Sequence, residues 1–311
     1  MKLFFLSKEN IELAKAEAKA IFGKGKLINN IFLVETNKKS NRLAYTRFIL
    51  NLIIESDECK IKKEIEKTNW NKMIKGSFAL FFLENKDVSQ SLSRKYGGIV
   101  YNLLKKPKVS LENPKTKLIM LKVKNKIYVG VEEWENDEKF FDRRPNTRPG
   151  QQPITISPKL ARACINLCNA EKEVYDPFCG VGGFLIEAGL MNLKAIGSDI
   201  SQKMTDLCKN NLDHYEIKNY KIFKHDALKI NKKYNYIVTD PPYGRASKVV
   251  GNNLYDNFLK RLKKILKKRT VVIFPNSVNA KELIKKNKLN ILGHYSVYIH
   301  KNLSREIYVL D

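Results

Sequence analysis

The chain has 311 residues, of which 43% are hydrophobic and 10% aromatic, so it is long enough for two packed domains and too apolar to be disordered throughout. Its 58 lysines and arginines against 32 acidic residues give a net charge of +26, which favours a polyanionic partner. No apolar run approaches the ~20 residues of a spanning helix, and the apolar start at residues 1–6 is too short for a signal peptide, so we expect a cytoplasmic protein without membrane association.

The first half of the chain predicts an α+β domain. Strands are predicted at 2–6, 31–35, 78–83, 117–123 and 126–133, helices at 8–22 and 88–104, and a further apolar stretch at 43–54. Residues 134–152 predict a linker, because proline and glycine there interrupt regular structure. The predicted domains are therefore residues 1–133 and 153–311.

The second half begins with Ser157-Pro158, a helix cap followed by proline at the first helical position. Strands are predicted at 173–178, 194–199, 220–226, 234–240, 269–275, 289–300 and 305–310, and helices at 183–192, 201–215, 253–268 and 279–287. This alternation predicts a parallel, doubly wound α/β sheet of the Rossmann-like type. The last two strands are joined only by residues 301–304, so they should form an antiparallel hairpin.

The five cysteines do not predict a disulfide framework in a chain of this size. Cys164 and Cys168 lie one helical turn apart, but no second pair of cysteines or histidines stands at the spacing of a metal site. We therefore predict buried thiols at these two positions and no bound metal.

A glycine-rich turn follows the first strand of the second half. Glycines there let the backbone approach a ligand at the carboxyl end of a central strand, where such sheets bind their ligands. Dinucleotide-binding domains share such a turn but must leave room for a pyrophosphate, whereas the acid before the glycines suits the charged amino-acid part of S-adenosylmethionine. The residues predicted to bind this cofactor are Asp176, Phe178, Gly180 and Gly182.

Two more acids end the next two strands. Asp199, followed by Ile200, stands about twenty residues after the turn, where a carboxylate can accept both ribose hydroxyls. Asp226, followed by Ala227, ends the third strand, where the adenine amino group would lie. Either acid alone is equally well explained as a helix cap or a solvated turn, but three acids in register predict one cofactor site. The sequence lacks a Walker-type phosphate loop, which argues against nucleotide hydrolysis.

The sequence Asp240-Pro241-Pro242-Tyr243 ends the fourth strand. An exocyclic amine is a poor nucleophile because its lone pair is delocalised into the ring. The Asp240 carboxylate and the Pro241 carbonyl can accept its two hydrogens and expose the lone pair. Pro242 stiffens the loop, and Tyr243 can stack on a flipped base. We predict that these four residues form the catalytic site; an ordinary turn is the alternative.

Asp-Pro-Pro-Tyr is typical of amino-group methyltransferases, and further segments narrow the resemblance. The chain resembles the archaeal tRNA guanine-10 N2-methyltransferases, which carry an N-terminal THUMP domain. The segments that carry the resemblance are Arg143-Arg144-Pro145 with Arg148-Pro149, residues 158–163, DPPYGRAS at 240–247, and His300-Lys301-Asn302-Leu303-Ser304-Arg305. Residues 111–114 are similar to a turn of THUMP. The resemblance is strong from about residue 140 to 311 and looser before it.

The resemblance implies that a THUMP-type domain docks on the acceptor end of tRNA while the catalytic domain reaches a guanine at a set distance. Basic residues before the catalytic domain and in loops near the site fit this division, because arginine holds phosphates bidentately. The predicted RNA contacts are Arg143, Arg144, Arg148, Arg245, Lys301 and Arg305, with a solvated surface as the alternative for each.

The sequence therefore predicts S-adenosylmethionine-dependent N2-methylation of a tRNA guanine, with position 10 as the first candidate and mono- or dimethylguanine as the product. Three alternatives stay open. They are the same chemistry at another tRNA position or in rRNA, a DNA adenine-N6 methyltransferase, and a non-catalytic RNA-binding protein with a methyltransferase fold. We expect a monomer; eukaryotic relatives of the family use a small activating subunit, and the need for one here stays open.

Overall fold

The chain folds into two compact units. The computed structural model describes residues 1–84, 87–152, 155–243, 252–300 and 303–311. The first unit comprises residues 1–11, 22–41 and 46–136, and the second comprises residues 12–21, 42–45 and 137–311. Within the described residues, no helix is long and apolar enough to cross a membrane.

The first unit is built on an eight-stranded sheet. Its strands are β1 (Lys2–Leu6), β2 (Lys26–Ile28), β3 (Ile31–Val34), β4 (Thr46–Asp57), β5 (Phe78–Glu84), β6 (Asp87–Val88), β7 (Thr116–Val123) and β8 (Lys126–Glu135). The helices of this half of the chain are α1 (Ile11–Phe22), α2 (Ile61–Lys67), α3 (Trp70–Met73) and α4 (Gln90–Leu103). The strand order is β2-β3-β1-β4-β8-β7-β5-β6, and β5 and β7 are parallel because the chain crosses over between them through α4.

Two apolar cores stabilise this unit. One packs α2, α3 and α4 against the sheet, and in it the buried indole of Trp70 donates a 2.8 Å hydrogen bond to the carbonyl of Ile65. The other joins Phe5 on β1 to Val123 on β7, with Phe5 stacked on Phe48 at 4.8 Å between ring centroids. The cluster includes residues of β3, β1, β4, β8 and β7, which are consecutive neighbours in the sheet, so this core extends across most of its width.

The second unit contains the alternating half of the chain. Its elements are α5 (Pro158–Cys168), β9 (Glu173–Asp176), α6 (Gly183–Leu190), β10 (Lys194–Asp199), α7 (Gln202–His214), β11 (Tyr220–Lys224), β12 (Tyr234–Thr239), α8 (Asn252–Ile265), β13 (Leu266–Pro275), α9 (Ala280–Lys286), β14 (Ile291–His300) and β15 (Leu303–Leu310). The strand order is β11-β10-β9-β12-β13-β15-β14. The first five strands are parallel and β15 runs antiparallel to both neighbours, which confirms the predicted sheet and hairpin.

This order creates a crevice where ligands bind in such sheets. From β9 the chain moves outward to β10 and β11, and then returns to place β12 on the other side of β9. Connections therefore leave β9 and β12 in opposite directions, and a crevice opens at the carboxyl ends of these two strands. The predicted cofactor and catalytic residues belong to the loops at this edge.

Helix α5 starts and ends as the sequence indicates. Ser157 stands at the N-cap with Pro158 at the first helical position, and Asn169 ends the helix in the left-handed conformation with a φ of 54°. Cys164 and Cys168 are free and fully buried, as predicted. The helix thereby supplies an apolar support beneath β12 and β13.

A buried carboxylate joins residues 12–21 and 42–45 to the second unit. Glu17 on α1 accepts hydrogen bonds from the backbone nitrogens of Ala44 and Tyr45, at 2.7 and 2.8 Å, and from Asn166 on α5 at 2.6 Å. Arg42 donates to Asn166 at 2.6 Å and to the carbonyl of Ala170 at 2.8 Å. No pattern in the sequence predicts this connection across more than a hundred residues.

The segment predicted as a linker contains ordered structure. Two 3-10 helices cover Phe140–Arg143 and Pro145–Thr147, and residues from 137 onward belong to the second unit. Asn211 on α7 holds the segment in place, because its side chain accepts from the backbone nitrogen of Gly150 and donates to the carbonyls of Gly150 and Val181.

Candidate active site

Three carboxylates meet at the carboxyl edge of the second sheet. Asp199 ends β10, Asp176 ends β9, and Asp240 directly follows β12, and these strands are neighbours in the sheet. Thr239, the last residue of β12, donates a 2.7 Å hydrogen bond to Oδ1 of Asp176. The structure therefore brings the predicted cofactor acids and the predicted catalytic acid into one crevice.

The glycine-rich turn has the backbone conformation that its composition predicts. Gly180 and Gly182 have φ values of 49° and 90°, in the left-handed region that favours glycine. The backbone nitrogen of Gly180 donates to Oδ2 of Asp199 at 3.1 Å, so the turn after β9 is tied to the end of β10. A Cβ atom at Gly182 would lie 2.8 Å from Sγ of Cys208, a distance that the packed turn does not allow.

The carboxyl of Asp176 is only 2% exposed, and burial raises its pKa to about 7. The hydrogen bonds from Thr239 and from the backbone nitrogen of Phe178 lower the pKa, while the nearby carboxylates of Asp199 and Asp240 raise it further. A buried acid surrounded by other acids gains most from a cationic partner. This corner of the crevice therefore suits a ligand with a positively charged group.

The remaining predicted cofactor residues lie along the same edge. Ile200 is 68% exposed beside Asp199, although it is a large apolar side chain. Asp226 caps a short 3-10 helix at Ala227–Lys229 by accepting a 2.9 Å hydrogen bond from the backbone nitrogen of Leu228, and Ala227 is buried. Phe178 lies half-buried with its ring edge-on to Phe258 at 5.0 Å. These residues follow β9, β10 and β11, three adjacent strands.

Both oxygens of the Asp240 carboxylate are held. The hydroxyl of Tyr243 donates to Oδ1 at 2.6 Å, and Nε of Arg305 donates to Oδ2 at 3.2 Å. Arg305 also donates to the Tyr243 hydroxyl at 3.1 Å. Pro241 is buried and Pro242 exposed, and the carbonyl of Pro242 accepts a 3.0 Å hydrogen bond from Tyr255 on α8. The loop after β12 is therefore fixed from three sides.

Burial dominates the electrostatics of this cluster. It raises the pKa of Asp240 to about 6, although the charge of Arg305 and the hydrogen bond from Tyr243 lower it. Burial and the neighbouring Asp240 carboxylate raise the pKa of Tyr243 well above its ordinary value, so its hydroxyl keeps its proton. A carboxylate that titrates near neutrality can accept a proton from a reacting group and release it afterwards.

The structure revises three of the predicted RNA contacts. Arg143 binds Glu187 at 2.9 Å and Glu138 at 2.9 Å, and Arg148 is 1% exposed with its Nε donating to the carbonyl of Arg143. Arg305 is 4% exposed and binds Asp240. Because these three guanidiniums are turned inward and engaged by protein groups, their predicted role as surface phosphate contacts is not the one they have here.

The other predicted RNA contacts fall into two groups. Arg144 is exposed and stacks on Phe141, with 3.3 Å between its guanidinium carbon and the ring centroid. Arg245 and Lys301 lie outside the described residues.

Sequence reasoning missed the place of Arg305 and the roles of Thr239 and Tyr255. The hairpin register contains the missing signal, because Arg305 on β15 pairs with Pro275 at the carboxyl end of β13, next to the end of β12. A cation at that register position faces the catalytic loop instead of the solvent. The sequence shows Thr239 as the residue before Asp240 but does not indicate its hydrogen bond to Asp176.

Sequence comparisons find similarity to known methyltransferases. A family model described as RMKL-like, methyltransferase domain, matches residues 145–305. A tRNA (guanine(10)-N2)-dimethyltransferase of Pyrococcus abyssi is 31% identical, over 96% of each chain. One from Methanothermobacter thermautotrophicus is 34% identical, over 87% of this chain and 83% of its own length.

Solved structures show the same fold. TrmN from Thermus thermophilus matches with a TM-score of 0.53 at 16% identity, over all of this chain and 99% of its own. A possible methylase from Clostridium difficile matches with the same TM-score and identity, over 99% of this chain and 97% of its own. At this level of identity the likeness shows the fold alone, which is a Rossmann-like α/β methyltransferase fold in the second unit.

Proposed function

This chain belongs to the family of tRNA (guanine(10)-N2)-dimethyltransferases, and on that premise we propose that it methylates the exocyclic amine of guanine 10 in tRNA. The methyl donor is S-adenosylmethionine, and the products are N2-methylguanine and then N2,N2-dimethylguanine. The observation that carries the proposal is the meeting of Asp240 with Asp176 at the carboxyl ends of β12 and β9, which puts an amine-binding loop beside a donor site.

The residues at this edge fit S-adenosylmethionine. The buried carboxyl of Asp176, with its pKa raised to about 7, gains a partner in the α-ammonium group of the donor. The left-handed turn at Gly180 and Gly182 gives the ligand access to the backbone. We assign the ribose hydroxyls to Asp199 and the adenine to the surface formed by Phe178, Ile200, Asp226 and Ala227. When bound, the donor supplies an activated methyl group.

The protein's part in the reaction is to hold and deprotonate the amine. Oδ1 of Asp240 and the carbonyl of Pro241 accept the two amine hydrogens, which returns the lone pair to the nitrogen. Tyr243, which occupies Oδ1 in the structure, yields that position to the amine and stacks against the guanine ring. As the new nitrogen–carbon bond forms, one amine proton must leave. Asp240, with its pKa raised to about 6, accepts it.

We further propose that the first unit docks the tRNA. Within the predicted domain 1–133, which we interpret as including a THUMP-type RNA-binding domain, a cleft of about 540 Å³ lies beside the ends of β1, β5 and β7. Its basic lining residues are Lys8, Arg47, Lys122 and Lys124. Lys122 is paired with Glu58 and Glu84, so the other three supply the charge for phosphates. Arg144, Arg245 and Lys301 are proposed contacts of residues 134–311.

Methyl transfer to defined nucleic acids tests the proposal. The protein is incubated with donor labelled in the methyl group and with unmodified tRNA, a tRNA carrying adenine at position 10, rRNA, or duplex DNA, and each product is digested to nucleosides. We expect label in N2-methylguanosine and N2,N2-dimethylguanosine from the first tRNA and none from the second.

Each alternative has its own outcome in this assay. Label that persists in the tRNA with adenine at position 10 would indicate another position in tRNA, and a preference for rRNA would indicate rRNA as the substrate. Label in N6-methyladenine would indicate the DNA adenine-N6 methyltransferase. No label with any nucleic acid, together with no heat of donor binding in calorimetry, would indicate a binding protein. Because no second protein is added, label in the product would also show that an activating subunit is not required.

A further inference from the structure

We propose that Arg305 is a positioning residue of the catalytic site, which fixes Oδ2 of Asp240 and keeps this carboxylate ionised for the incoming amine. The inference rests on the proposed function and deepens it. It assigns to β15 a part in the reaction that the motif after β12 does not contain.

The geometry of the guanidinium carries the inference. Nε of Arg305 donates to Oδ2 of Asp240 at 3.2 Å and to the hydroxyl of Tyr243 at 3.1 Å. The side chain of Arg305 is 5% exposed and that of Asp240 is 14% exposed, so water competes little for the pair. The pairing of Arg305 with Pro275 holds the side chain at the carboxyl end of the sheet.

The two oxygens of the Asp240 carboxylate have different hydrogen-bond donors. Oδ2 is bound to Arg305, which comes from the far hairpin, and Oδ1 is bound to the hydroxyl of Tyr243, which comes from the catalytic loop itself. The tyrosine O–H and an amine N–H would each donate a hydrogen bond to Oδ1, so one can replace the other. The loop residue can therefore exchange with the substrate while the hairpin residue holds the carboxylate in one orientation, as preorganisation requires.

A role in stability alone does not explain this pair. A buried ion pair gains little over a pair of apolar side chains of the same volume, because two charges must be removed from water. The surrounding core contains such apolar alternatives, since Val272 on β13 and Ile307 on β15 are fully buried. We therefore attribute the Arg305–Asp240 ion pair to the proposed reaction instead of to stability.

Within the part of the chain that the structure describes, the cation close to Asp240 is Arg305 on β15. The other groups near this carboxylate are Tyr243 in the same loop, Asp176 on β9, Cys164 on α5 and Tyr255 on α8, which are neutral or acidic. Burial raises the pKa of Asp240 to about 6 even with Arg305 in place. The charge and hydrogen bond of Arg305 lower the pKa of Asp240, so removing the guanidinium should raise this pKa further, and a protonated Asp240 cannot accept an amine proton.

The test compares the pH dependence of kcat in three variants with the wild type. Arg305→Met removes the charge, Arg305→Lys keeps it, and Glu306→Gln changes the next residue of β15, which binds His294 and Ser296 on β14. An opposite charge at this range lowers a carboxyl pKa by about one to three pH units. We therefore expect the acid limb of Arg305→Met to move upward by that amount. From a pKa of about 6, a shift of one unit lowers kcat at pH 7 by about twofold and a shift of two units by about tenfold.

The controls separate positioning from folding. We expect the donor Kd of Arg305→Met to stay within about twofold of the wild type, and we expect Arg305→Lys to keep the acid limb near its original pH. Glu306→Gln should match the wild type. An unmoved acid limb in Arg305→Met, or a loss of kcat that is equal at all pH values and not relieved by lysine, would overturn the inference. If the methionine variant loses donor binding through misfolding, Arg305→Gln, which is polar but uncharged, takes its place and must show the same upward shift of the acid limb.

A titration without tRNA makes the inference independent of turnover. With aspartate labelled with carbon-13 at the carboxyl, the NMR signal of Asp240 reports its protonation directly. The inference requires a higher midpoint in Arg305→Met than in the wild type. A wild type that transfers no methyl group would end the proposed function while this titration still stands, and an unchanged midpoint in an active enzyme would end the inference alone.

Discussion

Thr239 and Asp176 join the two strands between which the crevice opens: the threonine hydroxyl donates a 2.7 Å hydrogen bond to the aspartate Oδ1. Both residues are buried, and both end neighbouring parallel strands. The last residue before the proposed catalytic loop therefore supports the acid of the proposed donor site. One hydroxyl thus connects the two proposed sites.

Replacing Thr239 by valine should weaken donor binding. A hydrogen bond to a charged group contributes about 1.5–3 kcal/mol, and its loss raises the pKa of Asp176 because Thr239 stabilises the ionised form. We expect the donor Kd to rise at least about tenfold at pH 7 and the gap to narrow at pH 9, measured by calorimetry.

The chain offers a matched control for this change. Thr270 on β13 is fully buried, and within the described part of the chain its hydroxyl has no hydrogen-bond partner. Thr270→Val should leave the donor Kd unchanged. Equal weakening in both variants would show that the effect is one of packing.

Donor affinity should depend on pH with a midpoint set by Asp176. Its pKa is raised to about 7, so below this pH the carboxyl is protonated and has no charge to offer an ammonium group. We expect the Kd to rise about tenfold for each pH unit below 7 and to be flat above it. Asp176→Asn should bind weakly at every pH. A pH-independent Kd in the wild type would remove Asp176 from the donor site.

The same shift predicts that the free protein loses stability as the pH rises. A carboxyl whose folded-state pKa lies above its unfolded value stabilises the fold below the unfolded pKa, and this contribution is lost as the pH rises through the folded pKa, here from about 4 to 7. Asp176→Asn should therefore melt higher than the wild type at pH 8, by about 2–4 °C for each kcal/mol recovered. Differential scanning calorimetry of the ligand-free proteins checks this, and a lower melting temperature would contradict it.

Asp240→Asn should abolish turnover while leaving donor binding intact. The amide has the shape of the carboxylate but cannot take the amine proton, so kcat should fall by about 10²–10⁴-fold. Asp213→Asn, an exposed change on α7 that weakens one hydrogen bond to Tyr220, serves as the control and should keep full activity. Turnover of Asp240→Asn within tenfold of the wild type would exclude the carboxylate as the proton acceptor.

Glu17→Ala should destabilise the second unit strongly. The change removes the buried carboxylate that accepts hydrogen bonds from the backbone nitrogens of Ala44 and Tyr45, and the loss of such a bond costs about 1–3 kcal/mol for each buried group. Glu12→Ala on the same helix removes an exposed carboxylate 4.0 Å from Lys15 and should change stability by less than about 0.5 kcal/mol. Urea unfolding of both variants measures the difference, and equal effects would contradict the structural role of Glu17.

The second unit was predictable from sequence because its elements are short, local and regularly alternating. The strand 194–199 was predicted to the residue, and each of the other strands of this sheet was found with one end exact and the other end shifted by one to three residues. The acids were found because parallel strands put their carboxyl ends at one edge. Side-chain contacts between residues far apart in sequence were missed. Examples are Glu17 with Asn166 and Arg305 with Asp240, which are separated by 149 and 65 residues.

The first unit was harder for the same physical reason. Its sheet order places β4 beside β8 and β5 beside β7, so neither pairing follows from adjacency in sequence. The short helices α2 and α3 were not predicted, because a run such as 61–67 alternates lysine and glutamate and shows only two buried positions, Ile61 and Ile65. The arginines at 143 and 148 were read as surface residues because sequence does not reveal Glu187 as their buried partner or neighbour.

The position of β15 imposes an order on biosynthesis. This strand is made after β14 yet inserts between β14 and β13, so a nascent chain that has reached residue 300 presents β13 as an open edge and β14 without its neighbour. Such edges recruit strands from other chains, and chaperones protect against this on the ribosome. The guanidinium that binds Asp240 arrives with this last insertion, so its contact with the loop after β12 can form only when the sheet is complete.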